Sequence, residues 1–477
     1  MLAVSELEPG DTGGLWFDEL DRTASSPNEL IGIGKDHDID DDAVLSILQF
    51  GAMIPPLSPW KGIRRAFPGY RYVGTKMVGS CVLPPVSDIL IHGADKQSNE
   101  IERVLDCVLK KHIGENEDPV VLFSGGVDSG IIASRLAALG YSNTLLINYA
   151  FGEQDLESDL AEKMARRLGL PFARVYGNEH PCVCLDSPGQ VYPQPFGDHS
   201  TVPTSALARA VVQRLSNESR LIIDGTGADG AFGMLGQIAA WERLVRVPRL
   251  ARQVASLAYG EVLWKRTGKW EKVGRVCRRS IDMPLLSAVL AQNPLAGTFF
   301  NGAANSNLHD LLERWIVGWV GEHRRSQIVG ADLALTCANI FAQKAKPILE
   351  GAGHKVLYPF LDIEMVSMAL GIARSNQMVE AKAPLKRSLA RYVPDDMVYR
   401  PKSGFVDVKG EVFFSEEFIH HLFAATKSSS PFGHILDRKS VDRVGELLKR
   451  KKVLPAQTLN LLWSIVFTDR WYRTVGS

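Results

Sequence analysis

The chain has 477 residues, of which 45% are hydrophobic and 23% are charged, and its 54 lysines and arginines balance its 54 aspartates and glutamates. This composition is typical of a soluble globular protein of two or three domains. A net charge of zero gives no reason to expect nucleic acid or an anionic membrane as a partner.

The lack of a recognisable targeting signal and the spacing of the cysteines predict a cytoplasmic protein. Residues 1–8 contain neither a basic segment nor an apolar core, and no apolar run has the length of a membrane-spanning helix. The six cysteines lack the spacing of a disulfide framework, and the one close pair, Cys182 and Cys184, has no second pair to complete a metal site. We therefore expect reduced thiols in a cytoplasmic protein.

Residues 1–95 are predicted to form a small N-terminal lobe that contains β structure. An acidic run at 36–42 precedes a predicted short helix over 43–51, which ends at a glycine. Prolines and glycines between residues 55 and 69 then mark loops and turns between short strands. The second domain, residues 96–477, is predicted to begin with a helix over 99–111.

From residue 119 onward, strand and helix patterns alternate. Predicted strands lie at 120–123, 144–149, 172–176 and 221–223, and predicted helices lie at 130–139, 157–168 and 205–214. This alternation predicts an α/β fold with a doubly wound parallel sheet. After residue 235 the sequence is predicted to be mostly helical. Ligands of such sheets bind outside the carboxyl ends of the strands.

The first predicted strand ends in Ser124-Gly125-Gly126-Val127-Asp128-Ser129, which we call the first loop. Glycines at a strand-to-helix turn let the backbone approach a ligand, and the free amides of the helix N-terminus favour an anion. The two serines add hydroxyl donors, and Asp128 adds a carboxylate that can hold Mg²⁺. A glycine-rich turn without function is the alternative, but the number of specified residues favours a nucleotide-phosphate site. Neither of the common ATP and dinucleotide motifs is present.

The strand at 221–223 leads into a second glycine-rich turn, residues 224–230, which we call the second loop. It carries Asp224 and Asp229 and is expected to face the first loop from a neighbouring strand. Read alone, it is also compatible with a flexible turn whose aspartates are solvated. Two carboxylates around magnesium pyrophosphate are what the leaving group of ATP needs, so Asp128 and Asp229 are the expected metal pair.

The motifs together resemble a known family. Ser-Gly-Gly-Val-Asp-Ser is similar to the pyrophosphate loop of PP-loop ATP pyrophosphatases. With G-x-G-x-D at 225–229, P-F-L-D at 359–362, K-x-x-L-[KR]-R at 382–387 and R-x-K-x-G-F at 400–405, the chain resembles the synthetase domain of asparagine synthetase and β-lactam synthetase over about residues 100–410.

The resemblance implies a mechanism and a set of site residues. A substrate carboxylate attacks the α-phosphorus of ATP to give an acyl-adenylate, and an amine then displaces AMP to make an amide. ATP and Mg²⁺ are the implied cofactors, with Asp128 and Asp229 on the metal. Lys402 matches a lysine that stabilises charge developing in the reaction, as a fixed cation does in a dry site. The residues expected to contact the nucleotide are Leu122, Ser124, Gly125, Gly126, Asp128, Ser129, Asp224 and Gly225.

Departures from the family pattern concern the acceptor side. Lys355 and Leu357 stand where the family has E-x-R before P-F-L-D, and Thr226 and Gly230 replace two glutamates of the second loop. Residues 36–75 resemble the end of the family's glutaminase domain, but the chain begins Met-Leu-Ala and its first cysteine is Cys81. We therefore expect a truncated, degenerate glutaminase lobe that does not release ammonia from glutamine.

The predicted function is that of an ATP-dependent, AMP-forming amide ligase that joins a small-molecule or peptide carboxylate to an amine. The amine acceptor can belong to the same molecule, as in β-lactam synthetases and lasso-peptide macrolactam cyclases. It can also be a second small molecule, or ammonia, as in an amidating asparagine-synthetase-like enzyme. A tailoring or cyclising step in specialised biosynthesis, such as that of an antibiotic, is favoured. An inactive nucleotide-binding regulator is the alternative from another class, and a homodimer or a pathway partner protein is compatible with the sequence.

Overall fold

The structure of the chain is a computed structural model. It describes residues 4–31, 38–85, 94–115, 117–150, 152, 155–176, 180, 182–216, 218–257, 276–281, 283–293, 299–300, 307–375, 380–400 and 412–475. Among these residues, none of the helices combines the length and the apolar character needed to cross a membrane.

Residues 4–85 contain the predicted β structure. One antiparallel sheet has the order β1-β5-β6, from Val4–Leu7, Tyr70–Val73 and Lys76–Ser80, and a second has the order β3-β2-β4, from Thr23–Ala24, Trp16–Asp18 and Ile63–Arg65. The predicted short helix is present at Asp41–Phe50. It begins where the Asp40 carboxylate accepts the amides of its first turn, and it ends at Gly51, whose φ is +82°.

Five parallel strands form the sheet that organises the rest of the chain. In chain order they are β7 (Val120–Leu122), β8 (Leu145–Ala150), β9 (Phe172–Tyr176), β10 (Leu221–Ile223) and β11 (Lys355–Leu357), and their order in the sheet is β11-β10-β7-β8-β9. The chain runs outward from β7 to one edge and then returns to the other side of β7. The predicted doubly wound parallel sheet is therefore confirmed.

Alternate residues of each strand enter two different cores. Val121 of β7 packs into the core that contains the helices Val127–Ala138 and Leu156–Leu168. Val120 and Leu122 pack on the opposite face, where Thr201–Leu215 and Lys346–Gly351 lie. Helices therefore cover both faces, and only the ends of the strands are open to a ligand.

The predicted mostly helical C-terminal part is confirmed. The other helical elements described are the α-helices Ala94–His112, Pro188–Val191, Leu235–Arg246, Arg249–Ser256, Leu285–Leu290, Asn307–Val320, Arg324–Ala331, Ile363–Ser375, Ala383–Leu389, Asp395–Val398, Glu416–Ala424, Arg438–Lys449 and Ala456–Thr474, the π-helical segments Asp229–Gly233 and Asp332–Phe341, and the 3₁₀ turns Pro27–Leu30, Val183–Leu185, Ala342–Lys344 and Pro359–Leu361.

The helix after the first loop was predicted to begin at Gly130 and instead begins at Val127. Asp128 and Ser129 therefore lie in its first turn, because a helix can start directly after the Gly126 cap. The helix predicted at 205–214 also begins earlier, at Thr201, since Pro203 is tolerated in a first turn.

The N-terminal lobe contacts the helix Asn307–Val320 through the turn at residues 68–70. The indole N–H of Trp315 donates to the Pro68 carbonyl at 2.8 Å, and the Tyr70 hydroxyl donates to the Trp315 carbonyl at 3.1 Å. Between them, Gly69 has φ +90°, and a β-carbon there would lie 2.7 Å from the Trp319 ring. The contact is close enough that it admits only glycine at this position.

We expect Gly69→Ala to lower the free energy of unfolding by roughly 2–4 kcal/mol, because left-handed strain is added to overpacking. Gly62→Ala is the matched control: φ is +81°, but the nearest atom to a new β-carbon is 3.8 Å away. It should cost only the strain, roughly 1 kcal/mol. Urea unfolding measures both losses, and equal losses would contradict a tight contact between the lobe and Trp319.

Candidate active site

The first loop is closed by its own hydroxyl groups. The Ser124 amide donates to the Ser129 hydroxyl at 3.2 Å, and the Gly126 amide donates to the Ser124 hydroxyl at 3.2 Å. Gly125 has φ +67°, and a β-carbon there would lie 2.7 Å from the α-carbon of Ala161 in the neighbouring helix. The loop backbone is thus held between its serines and that helix, at the carboxyl end of β7 after the buried Leu122.

The second loop lies against the first, as the sequence predicts. The Asp224 amide donates to the Leu357 carbonyl of β11 at 3.0 Å, which extends the sheet pairing by one residue. Its carboxylate accepts the amide and the hydroxyl of Thr226 at 2.7 and 2.8 Å, while burial raises its pKa. A β-carbon at Gly225 would lie 3.1 Å from that of Asp128. The backbones of the two loops are therefore packed closely against each other at Gly225 and Asp128.

Asp128 and Asp229 converge on one cation, and that cation is Lys382. The ammonium nitrogen of Lys382 lies 2.7 Å from Oδ2 of Asp128 and 2.7 Å from Oδ1 of Asp229. The side chains are 10% exposed for Lys382, 26% for Asp128 and 54% for Asp229. A ligand from solvent therefore meets Asp229 first, and the lysine lies deepest.

Lys382 is placed by the segment that precedes the helix Ala383–Leu389. Its φ is +59°, and its amide donates to the Phe232 carbonyl, in the turn that follows Asp229, at 2.8 Å. The helix packs on the first-loop helix, where a β-carbon at Gly130 would lie 2.9 Å from Leu389. The lysine is therefore placed by a backbone bond to the segment after the second loop and by a helix that packs on the first-loop helix. In the sequence, Lys382 is the first residue of the K-x-x-L-[KR]-R motif, which carries the family resemblance but predicts no role for this lysine.

A buried carboxyl group lies behind the second loop. Asp332 begins the π-helical segment Asp332–Phe341, and burial raises its pKa to about 6. A β-carbon at Gly230 would lie 2.7 Å from an Asp332 carboxyl oxygen and 2.9 Å from the Cys337 sulfur. A glutamate at position 230 has no room here, which gives a physical reason for one departure from the family pattern.

Comparison with known proteins identifies the family of the chain. The asparagine synthase family model matches residues 100–473. The chain belongs to the asparagine synthase family. This confirms the resemblance carried by the motifs, and it places the chain among proteins that use ATP.

No curated protein matched the sequence. Among the solved structures that match is the U34-tRNA thiolase NcsA from Methanococcus maripaludis with its 4Fe-4S cluster. It is 16% identical, the match covers 51% of this chain and 85% of that chain, and the TM-score is 0.22.

Other motif residues of this asparagine synthase family protein have structural contacts. Asp362 of P-F-L-D accepts Lys111 and His112 at 3.1 Å and the Glu364 amide at 3.0 Å. Burial works against these bonds, which nevertheless hold the pKa of the Asp362 carboxyl below its usual value. Lys355, where the family has glutamate, is exposed at the start of β11 and pairs with Leu221. It therefore lies at the opposite end of the strand from the two loops.

Arg400 joins the R-x-K-x-G-F motif to the first loop. Its guanidinium donates to the Gly125 carbonyl at 3.0 Å and to a Glu157 carboxylate oxygen at 2.7 Å. Sequence analysis quoted this arginine without giving it a role. Lys402, the predicted catalytic residue, lies outside the described residues, which end at 400 and resume at 412.

We expect Arg400→Lys to weaken ATP binding roughly tenfold, because an ammonium cannot keep both bonds and one charge-assisted bond is lost. The matched control is Arg220→Lys, since Arg220 also bonds a carboxylate, that of Glu218, and a backbone carbonyl, that of Asp118. Arg220 directly precedes β10 and so lies at the amino ends of the strands, at the opposite end from the two loops. Calorimetry with ATP tests both variants, and an equal loss of affinity in the two would sink the role given to Arg400.

Proposed function

We propose that this protein is an ATP-dependent, AMP-forming amide ligase that adenylates a substrate carboxylate and passes the acyl group to an amine. The observation that carries the proposal is the convergence of Asp128 and Asp229 on one cation beside the amides of the first loop. A carboxylate oxygen attacks the α-phosphorus as the bond to pyrophosphate breaks. The amine nitrogen then attacks the acyl carbon, the bond to AMP breaks, and the amine loses a proton.

Each loop has a part in holding the leaving group. The first-turn amides at Val127 and Asp128, with the hydroxyls of Ser124 and Ser129, face the position of an anion at a helix N-terminus. Two carboxylates that already share one cation suit Mg²⁺, which prefers oxygen ligands. A bound Mg²⁺ would neutralise charge on the departing pyrophosphate. Asp128 and Asp229 would hold it, and the close approach of Gly225 keeps the two loops together.

In this proposal, the Lys382 ammonium occupies the metal position between the two carboxylates whenever the metal is not bound. Its ammonium and a divalent cation compete for the same two carboxylate oxygens, so occupation by one displaces the other. The lysine side chain is long and flexible, and its backbone is fixed by the bond to the Phe232 carbonyl. Once displaced, its ammonium remains within reach of phosphate oxygens bound at the first loop.

Lys402 is proposed to stabilise the negative charge that develops on the acyl carbonyl oxygen. Arg400 bonds the Gly125 carbonyl, so the segment that carries Lys402 starts beside the phosphate loop. A compact ammonium two residues later along the chain can stabilise an oxyanion in the amide-forming step.

The amine is proposed to come from a substrate and not from glutamine. Cys81, the first cysteine of the chain, is buried, and its thiol donates to the Leu7 carbonyl at 3.1 Å. Burial raises its pKa to about 12, which leaves it unreactive as a nucleophile. A ligase that does not draw ammonia from glutamine fits a tailoring or cyclising step of specialised biosynthesis better than plain asparagine synthesis.

We expect Asp128→Ala and Asp229→Ala each to abolish carboxylate-dependent exchange of labelled pyrophosphate into ATP, because each removes a metal ligand from the leaving group. The matched control, Asp118→Ala, removes a carboxylate just before β7, at the edge of the sheet away from the loops, and should keep the exchange. Circular dichroism checks that the variants fold. Near-wild-type exchange in either site variant would show that the metal pair is wrongly assigned.

We expect Lys382→Met to bind Mn²⁺ more tightly than the wild type in the absence of nucleotide, on the order of tenfold, because a competing positive charge is removed from the carboxylates. Lys386→Met is the control, since Lys386 lies in the same helix but pairs with Glu380. Electron paramagnetic resonance of free Mn²⁺ gives both affinities. Unchanged or weaker binding in Lys382→Met would mean that the ammonium does not occupy a metal position.

A further inference from the structure

A second group of metal-ligating side chains lies in the segment that follows β9. His180 and Cys182 are two residues apart, and Glu417 lies in the first turn of the helix Glu416–Ala424. One donor atom from each residue lies within 4.8 Å of the other two. The His180 Nδ1 nitrogen and the Glu417 Oε2 oxygen are 3.8 Å apart. Two segments more than two hundred residues apart in sequence thus bring a nitrogen, a sulfur and an oxygen donor together.

The donor set fits zinc better than the cations that ATP sites use. Zn²⁺ takes imidazole, thiolate and carboxylate ligands at about 2.0–2.3 Å, so tetrahedral donors lie roughly 3.3–3.8 Å apart. The observed spacing therefore needs only small side-chain rotations to close on an ion. A thiolate ligand disfavours Mg²⁺ and Ca²⁺, which prefer oxygen.

A candidate for a fourth ligand lies on the same helix as Glu417. His421 lies one helical turn after Glu417, with its Nε2 nitrogen 3.9 Å from the Oε1 oxygen of that carboxylate. A rotation of Glu417 or His421 would complete a four-ligand site, and a water molecule can fill the same position. The Cys182 sulfur is buried and lies 3.6 Å from the Ser415 hydroxyl, while His180 is 63% exposed. The site therefore opens to solvent on the histidine side.

Cys182 belongs to this group of donors, and Cys184, the other member of the only close cysteine pair in the sequence, does not. The Cys184 thiol is fully buried beside Ser205 and Arg209. The two sulfurs of Cys182-x-Cys184 therefore lie in different surroundings. Burial raises the pKa of the Cys182 thiol to about 11. An ion would replace the thiol proton, which passes to solvent.

We propose that His180, Cys182 and Glu417 form a zinc-type site, separate from the nucleotide site, that joins His180 and Cys182, which follow β9 in sequence, to the helix Glu416–Ala424. In this proposal the ion links two parts of the chain that are distant in sequence. The site is structural in this proposal, and its occupation does not depend on the ligase function.

Co²⁺ titration of the full chain in excess Mg²⁺ tests the site, because a cobalt–thiolate bond gives a charge-transfer absorption that oxygen ligands do not. We expect one Co²⁺ per chain with this absorption, and its displacement by Zn²⁺. Cys182→Ser should abolish the absorption, and Cys107→Ser, at an exposed cysteine, should keep it. Glu417→Gln should weaken Co²⁺ binding by about tenfold or more, as expected for a lost ligand contact.

Two outcomes of the absorption measurement would overturn the proposal. One is a wild-type protein without the charge-transfer absorption at micromolar Co²⁺, and the other is an absorption that survives in Cys182→Ser. Glu417 is partly exposed, so Glu417→Gln should fold even if the cysteine variant does not. Unchanged Co²⁺ affinity in Glu417→Gln would also overturn it. Zn²⁺ should raise the melting temperature of the wild type more than that of Glu417→Gln.

Discussion

The candidate site depends on one ionic contact, in which the Lys382 ammonium bridges Asp128 and Asp229 at 2.7 Å from each. The three residues come from segments about one hundred and one hundred and fifty residues apart in sequence. Two carboxylates held this close repel each other unless a cation lies between them. The lysine provides that cation from the chain itself. Under the proposed function, carboxylates held in place in this way would need little rearrangement to bind a metal and a charged nucleotide.

Backbone contacts fix the loops around this ion triad more strictly than side chains do. Gly125 lies against the Ala161 backbone, Gly225 lies against Asp128, and Gly230 lies against Asp332 and Cys337. A β-carbon at Gly125 or Gly230 would collide with atoms of another element, and one at Gly225 would make a tight contact. The glycines of the two loops therefore serve close packing as well as ligand approach. For Gly230, this constraint also explains why a family glutamate is missing without any appeal to the substrate.

Sequence reasoning predicted the parts of the fold that follow from local pattern. The buried runs of β7 and β10 end in glycine-rich loops, and a parallel sheet brings such ends to the same edge. This placed Asp128 near Asp229 correctly. β11 was missed because it begins with an exposed lysine, Lys355, whereas the equally short β7 and β10 are uniformly apolar and buried. Its neighbour in the sheet, β10, is followed by more than one hundred residues before β11 begins, and no local signal reports that pairing.

Lys382 was missed for a different reason. A lysine at the start of a helix is read from sequence as a solvated side chain, and only tertiary packing reveals its burial. Its left-handed backbone and its bond to the Phe232 carbonyl depend on the helix Ala383–Leu389 docking on the first-loop helix. The group at His180, Cys182 and Glu417 has the same character, because its ligands meet only through folding. Sites whose residues come from distant segments of the chain are therefore the hardest to predict from the sequence.

A crystal structure of the full chain with Mg²⁺ and the non-hydrolysable analogue α,β-methylene-ATP tests the central claim most directly. The account predicts a metal ion bonded to Asp128 and Asp229 at about 2.0–2.1 Å, with pyrophosphate oxygens against the first loop. It also predicts that the Lys382 ammonium leaves both carboxylates for a phosphate oxygen. A nucleotide bound elsewhere, with Lys382 still bridging Asp128 and Asp229, would contradict the account.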